Sequence, residues 1–203
     1  MSFEPGRLHV VTGPSGSGKS AMLYGIAGLA SVESGHISFD DLIITDLSEA
    51  RRDAWRRQHV GMVFQTFHLI AELDVVDNVL LPAWFGSFRA APQLQIRAKN
   101  LLETLGVPEG RGAARRLSRG EQQRVALSRA LLFDPPVILA DEPTASLDAK
   151  AGEMVNAMLA EMARHEGRTV IAVSHDQAMI DAADVVITLD RGRCIDNGAR
   201  EAA

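Results

Sequence analysis

Eight consecutive residues, Gly13-Pro14-Ser15-Gly16-Ser17-Gly18-Lys19-Ser20, fit the spacing G-x-x-x-x-G-K-S/T. Glycines at those positions let the backbone curl so that successive N–H groups point inward, and the start of the following helix adds positive potential. Such a cradle suits a nucleoside triphosphate. Lys19 is placed to neutralise the β- and γ-phosphates, and Ser20 to hold Mg²⁺. The plain alternative is a Gly/Ser loop that merely caps a helix; the strand before it and the helix after it weigh against that. Far along the chain, the apolar run Val137-Ile-Leu-Ala140 ends in Asp141 and Glu142. Alternating strand geometry directs these carboxylates to different sides. Asp141 would then reach the Mg²⁺ shell, and Glu142 would polarise an attacking water as general base. Alone, this pair is equally an ordinary charged turn; downstream of a phosphate cradle it has a job.

The elements that must position these groups alternate in type. Residues 8–11 read as a buried strand, followed by a helix from about Lys19. Short strands are expected at 36–39 and 42–44, a helix at 48–58 and a strand at 60–64. Residues 75–132 read as mostly helical, interrupted at Pro82, Pro92, Gly106 and the Gly-Arg-Gly around Arg111. Strands return at 137–140, 169–173 and 185–189, with helices between. The pattern predicts helices on a largely parallel sheet. The chain has 203 residues, 46% of them hydrophobic and 23% charged. That is enough to bury roughly 70% of the unfolded chain's surface in a single domain. The longest run free of charged or strongly polar residues, 21–30, is half of the ~20 residues a membrane helix needs. The N-terminal residues have neither the basic start nor the apolar stretch of a secretion signal. A single cysteine, Cys194, excludes an internal disulfide, and a reducing cytosol is the expected compartment. A net charge of −5 argues against a general nucleic-acid binder. The arginines at 51, 52, 56 and 57, and at 111, 115, 116 and 119, read as solvated faces, with contact to an anionic membrane as the lesser alternative.

Leu117-Ser118-Arg119-Gly120-Glu121-Gln122-Gln123-Arg124 precedes a helical stretch. Here the chain resembles the ATP-binding-cassette ATPases, whose signature reads L-S-G-G-Q followed by the same Gln-Arg run. Gln65 after Met62-Val-Phe, Ser146-Leu147-Asp148, and His175 after Ile171-Ala-Val-Ser fall in the family's order. The resemblance implies an α/β fold: a P-loop NTPase core with a mainly parallel sheet and an inserted α-helical signature subdomain. It divides one domain, 1–203, into a core of about 1–66 and 134–203 and a helical part of about 67–133. It implies ATP and Mg²⁺ as cofactors. By resemblance, Gly13 to Ala21 hold the nucleotide, while Ser20, Gln65 and Asp141 serve the metal and Glu142, His175 and Gln65 the hydrolysis. Ser118 and Gly120 would meet the γ-phosphate bound to a second copy of the chain, with Asp148 coupling the two. Ser118 and Glu121 also form the capping box S-x-x-E, and both readings can hold because a capped helix start is an anion site.

Residues 69–82 look like the corresponding segment of the lipoprotein-releasing and macrolide-exporting cassettes, with the cell-division cassette close. This implies an integral membrane permease as partner, whose coupling helix fits a groove beside Gln65. It also implies a peripheral location on the cytoplasmic side of the plasma membrane, and no nucleic acid. Trp84, Phe85 and Phe88 either pack the helical insertion, the heavier reading, or form a docking surface. The implied function is the ATPase subunit of a transporter or extrusion complex, driven by ATP-dependent homodimer closure. The alternative is a non-transport cassette signalling to a cell-division or cell-wall partner. A soluble P-loop kinase would need an acceptor pocket and a basic lid in place of the 117–124 run. Departures from the family are Arg119 for the first signature glycine, Glu121 for its glutamine, and Ala21 for the usual threonine. The sequence also begins just before the strand at 8–11, without the family's earlier aromatic residue that stacks on adenine. Phe3 is too near Gly13 to replace it, so weaker discrimination between ATP and GTP is expected.

Overall fold

The computed structural model describes residues 1–85, 91–108, 110 and 112–199. Its elements run β1 (Leu8–Thr12), α1 (Lys19–Ile26), β2 (Ser38–Phe39), β3 (Leu42–Ile43), α2 (Glu49–His59), β4 (Val60–Val63), α3 (Val75–Trp84) and α4 (Pro92–Thr104). They continue with α5 (Arg119–Ala130), β5 (Val137–Asp141), α6 (Ala149–Arg164), β6 (Thr169–Val173), α7 (Gln177–Ala182), β7 (Val185–Asp190) and β8 (Arg193–Ala199). The main sheet has the order β4-β5-β6-β1-β7-β8. Pairing is parallel from β4 through β7, and β8 joins β7 antiparallel.

Leu8, Val10 and Val11 of β1 and all five residues of β5 are buried, as expected for strands covered by helices on both faces. On one face Leu8, Val10 and Ile138 pack with Leu127 of α5 and Leu159 of α6. On the other, Val11, Leu139 and Ile187 pack with Leu23 of α1. A third cluster joins α3, α4 and α5 through Val79, Leu80, Leu102 and Val125. Helix α5 belongs to two of these clusters, giving Leu127 to the sheet and Val125 to the helical part. It is the rigid link between them.

Several sequence expectations change. Pro82 lies inside α3 and does not interrupt it. A proline in the last turn removes one backbone bond, and α3 is anchored elsewhere. Asp74 caps it by accepting from the Val76 N–H at 2.9 Å, and the buried Asn78 amide binds the Ile70 N–H and the Ile70, Leu73 and Asp74 carbonyls. Pro92 instead opens α4, where its missing N–H costs nothing. Strand β8 was not expected, because its sequence has no apolar alternation; it forms by backbone pairing along the edge of β7. Arg52 and Arg56 are not simply solvated. Arg56 donates to the Ala27 and Gly28 carbonyls and pairs with Asp53, which fastens α2 to the end of α1. Trp84 packs on the helical cluster, but Phe85, just past α3, is 85% exposed. Phe88 and Arg111 lie outside the described residues.

A histidine is built into the core. His9 of β1 is buried, its Nε2 lies 3.0 Å from the backbone N and O of Glu4, and Phe3 meets it edge-on. Burial lowers its pKa below the ordinary 6.5, outweighing the backbone bond and the negative charges of Glu4 and Asp184. The native state therefore binds fewer protons here than the unfolded chain. Its contribution to stability is complete above the unfolded value near 6.5 and is lost as pH falls toward the folded one. His9→Phe is expected to flatten the fall in urea midpoint between about pH 7 and about pH 5.5. An equal fall in both proteins would show that His9 does not drive it.

Candidate functional site

Four neighbouring parallel strands, β4, β5, β6 and β1, end along one edge of the sheet. The loop 13–18 follows β1, Gln65 follows β4, Asp141 ends β5 with Glu142 directly after it, and His175 follows β6. Ser20 and Asp141, 121 positions apart in sequence, and Glu142 and His175, 33 apart, are thus lined up at the edge where open α/β sheets bind ligands.

The loop is held in a conformation only its glycines allow. Gly13 has φ 140°, and a Cβ there would fall 2.0 Å from the Leu189 carbonyl oxygen of β7. Gly18, with φ 96°, turns the chain into α1. The Lys19 ammonium donates back to the Gly13 carbonyl at 2.8 Å and the Pro14 carbonyl at 3.0 Å, closing the loop under its own side chain. The Gly192 N–H, in the turn before β8, donates to the Ser17 carbonyl at 2.9 Å, so the unexpected edge strand braces the loop. The Ser17 hydroxyl is buried with no hydrogen-bond partner.

Ser20, on the first turn of α1, donates from Oγ to Asp141 Oδ1 at 3.0 Å. Tyr24, one turn further along the same face, donates to Asp141 Oδ2 at 3.2 Å. Burial, then the Asp141 charge, raises the Tyr24 pKa above its usual value and keeps it a donor. Tyr24 was missed in the sequence, although its i+4 spacing from Ser20 was the available signal. The donors gathered here are a hydroxyl and a carboxylate, hard oxygens that fit Mg²⁺. Mg²⁺ typically takes one or two protein ligands and fills its octahedron with water and phosphate. Among the described residues no group of three or more His, Cys, Asp or Glu side chains could make a self-contained metal centre.

Glu142 is not aimed by strand alternation. Asp141 is the last residue of β5, and Glu142 turns away with φ 46° while its N–H donates to the Val173 carbonyl at 2.9 Å. A left-handed backbone at a non-glycine residue is strained and persists only where its surroundings hold it. Here Glu142 Oε1 meets His175 Nδ1 at 2.9 Å, with the carboxylate 16% and the imidazole 73% exposed. Neighbouring bonds steady the pair. Asp176 Oδ2 accepts from Thr144 Oγ1 at 3.1 Å and from Asn156 Nδ2 at 3.2 Å, and its Oδ1 caps α7 by accepting from the Ala178 N–H. The fully buried Gln123 of α5 donates to the Pro143 carbonyl at 2.8 Å. Sequence reading missed Asp176, Thr144, Asn156 and Gln123, because nothing local marks residues that meet only after folding.

Gln65 is exposed; Val63 pairs with Ala140, which sets it level with the end of β5. Arg129, at the end of α5, donates to the Phe67 and His68 carbonyls at 2.6 and 2.7 Å and so grips the segment after Gln65. Beside that segment runs a groove of about 700 Å³, walled by Leu29, Phe64, Leu81 and Phe85, with Arg57 and Arg129 among its basic residues. Ala21 is exposed on the first turn of α1.

Among the described residues, Ser118, Gly120 and Asp148 make no hydrogen bond to residues 13–20. Ser118 caps α5: its N–H and hydroxyl donate to Glu121 Oε2 at 2.7 and 2.8 Å, and its Oγ accepts from the Glu121 N–H at 3.3 Å. Asp148 caps α6 by accepting from the Ala151 N–H at 2.9 Å.

A sequence profile described as ABC transporter matches residues 1–145. The lipoprotein-releasing system ATP-binding protein LolD of Hyphomonas neptunium is 38% identical over 197 residues, 97% of this chain and 86% of that protein. The macrolide export ATP-binding/permease protein MacB of Bradyrhizobium diazoefficiens is 39% identical over 204 residues, the whole of this chain and 31% of that longer protein. Among solved structures, the dimeric post-hydrolysis state of the ATP-binding cassette MJ0796 of Methanocaldococcus jannaschii, bound to ADP and Pi, superimposes with a TM-score of 0.88. It is 34% identical, over 100% of this chain and 89% of that one.

Proposed function

The chain belongs to the ABC transporter family as an ATP-binding, ATP-hydrolysing subunit, and from that premise we propose that it works as a homodimer which closes on ATP and drives a separate membrane subunit. The observation that carries this reading is the convergence of Lys19, the Ser20–Asp141 pair and the Glu142–His175 pair at the ends of β1, β5 and β6. In this reading residues 13–21 hold the triphosphate, Lys19 exchanging its loop carbonyls for β- and γ-phosphate oxygens. Ser20 and Asp141, with Gln65 beside them, hold Mg²⁺, which when bound screens the phosphate charge. His175 donates from Nδ1 to Oε1 of Glu142, fixing the carboxylate and leaving Oε2 to take a proton from the attacking water. Asp176 is a positioning residue that sets the backbone beside His175.

In this reading Ser118 and Gly120 face the γ-phosphate bound to the second copy, and Asp148 couples the two copies. One domain spans 1–203, with a core of about 1–66 and 134–203 and a helical part of about 67–133. The double membership of α5 supports treating them as one unit. The groove lined by Phe64 and Phe85 suits a short amphipathic segment of a membrane permease. Among the described residues no helix is long and apolar enough to cross a membrane, so attachment at the cytoplasmic face falls to that partner. A site completed by a second copy makes specific activity rise with protein concentration. Mg-ATPase assays across a dilution series are expected to show this upward curvature and its loss on chelation of Mg²⁺. Activity per chain that stays constant on dilution far below the dimer range would overturn the shared site.

A further inference from the structure

The Asp141 carboxylate is held at both of its oxygens from a single helix. Oδ1 accepts from Ser20 Oγ at 3.0 Å and Oδ2 from Tyr24 Oη at 3.2 Å. Residues 20 and 24 stand one turn apart on α1 and so present their hydroxyls to β5 together. Asp141 is 5% exposed, so bulk water has little part in satisfying it. Among the described residues each oxygen has that one donor. The two bonds do different work. The terminal torsion of an aspartate is broad and roughly two-fold, so a carboxylate tied at one oxygen can rock or exchange its oxygens. A second donor on the other oxygen fixes the plane. Ser20 gives its hydrogen to Oδ1 and keeps two lone pairs with which to meet a cation. Tyr24, the only tyrosine of the chain, occupies Oδ2.

We propose that Tyr24 is a positioning residue for the metal: it withholds Oδ2, so that Asp141 offers one oxygen to a cation or to its bound water, which favours Mg²⁺ over the larger Ca²⁺. The inference rests on the reading above in which Ser20 and Asp141 serve the metal, and adds selectivity to it. Mg²⁺ demands a near-ideal octahedron with few protein ligands, whereas Ca²⁺ takes a carboxylate through one or both oxygens in flexible geometry. A carboxylate free to turn gives Ca²⁺ a second oxygen and costs Mg²⁺ its preset one. Groups that hold metal-binding carboxylates in place typically govern metal affinity by about 10- to 100-fold.

The test uses the full chain and a fluorescent ATP analogue, and reads binding in EDTA and as MgCl₂ or CaCl₂ is raised. Tyr24→Phe keeps the ring and removes only the hydroxyl. It is expected to raise the Mg²⁺ concentration for half-maximal enhancement of binding about tenfold, and the Ca²⁺ concentration by less than about threefold. Affinity in EDTA stays within about twofold of the parent, because the phosphate loop is untouched, and this also shows that the variant is folded. In an Asp141→Asn background the same change adds nothing, since the two residues act as one unit. A Mg²⁺ requirement within about twofold of the parent overturns the proposal. An equal rise for Mg²⁺ and Ca²⁺ does so too, since no selection is then at work. Equal loss of affinity with and without metal makes Tyr24 a structural residue only, and an effect that persists in the Asp141→Asn protein places its action elsewhere; either result overturns it. If the parent binds the analogue no better with Mg²⁺ than in EDTA, the metal reading itself fails and takes this inference with it. That failure is visible without any change at Tyr24.

Discussion

Glu142→Gln is expected to stop hydrolysis while leaving ATP bound, and to trap an ATP-dependent dimer that elutes at twice the mass of the protomer. The amide has the shape of the carboxylate, so its Oε1 can still accept from His175 Nδ1, now at 2.9 Å from the carboxylate. It has no basicity with which to take a proton from water. Loss of a positioned general base costs about 10² to 10⁴ in rate. Cradle residues are untouched, so nucleotide affinity has no reason to fall. Product release that normally reopens the dimer no longer occurs, and the closed state accumulates. Phosphate release and size-exclusion chromatography with saturating Mg-ATP check the two halves separately. A variant that hydrolyses within a few-fold of the parent places the base elsewhere. A variant that is inactive yet monomeric separates the chemistry from the dimer.

Lys19→Ala is expected to remove tight nucleotide binding altogether. The ammonium carries three N–H donors, and two of them hold the Gly13 and Pro14 carbonyls. In this chain the lysine is thus the loop's clasp and, in the function proposed above, the cation for the phosphates as well. Its loss takes away charge-assisted bonds worth about 1.5 to 3 kcal/mol each and leaves the loop carbonyls to relax. Affinity for Mg-ATP should fall by at least about a hundredfold. Arginine does not replace it, because a planar guanidinium is too broad for a turn that closes on a compact point charge. Fluorescent-nucleotide titration of both variants checks this. Binding within about threefold of the parent in Lys19→Ala would show that the backbone amides alone hold the phosphates.

These two residues also mark how far the sequence could be read. The loop closed by Lys19 was legible because it is local: eight consecutive residues contain the turn, the glycines and the cation. The capping box at Ser118 and Glu121 was legible for the same reason, three residues apart on one helix start. The strands were legible as apolar β-branched runs, and their observed bounds differ from the expected ones by one or two residues at most ends. Pro82 misled because helix propensity counts the lost N–H and cannot see the Asn78 network that anchors α3. Phe85 misled in the other direction: its apolar character suggested packing, but its place just past α3 leaves it facing the groove.

By itself the sequence determined the glycine-rich loop, the alternation of elements and the family. Tertiary structure alone decided which residues meet. Ser20 reaches Asp141 across 121 positions and Glu142 reaches His175 across 33, because β5 and β6 lie side by side and β6 lies next to β1. Strand order is a property of long-range packing, and no periodicity within a strand records which strand will be its neighbour. The same holds for the left-handed turn that aims Glu142 and for the edge strand β8 that braces the loop.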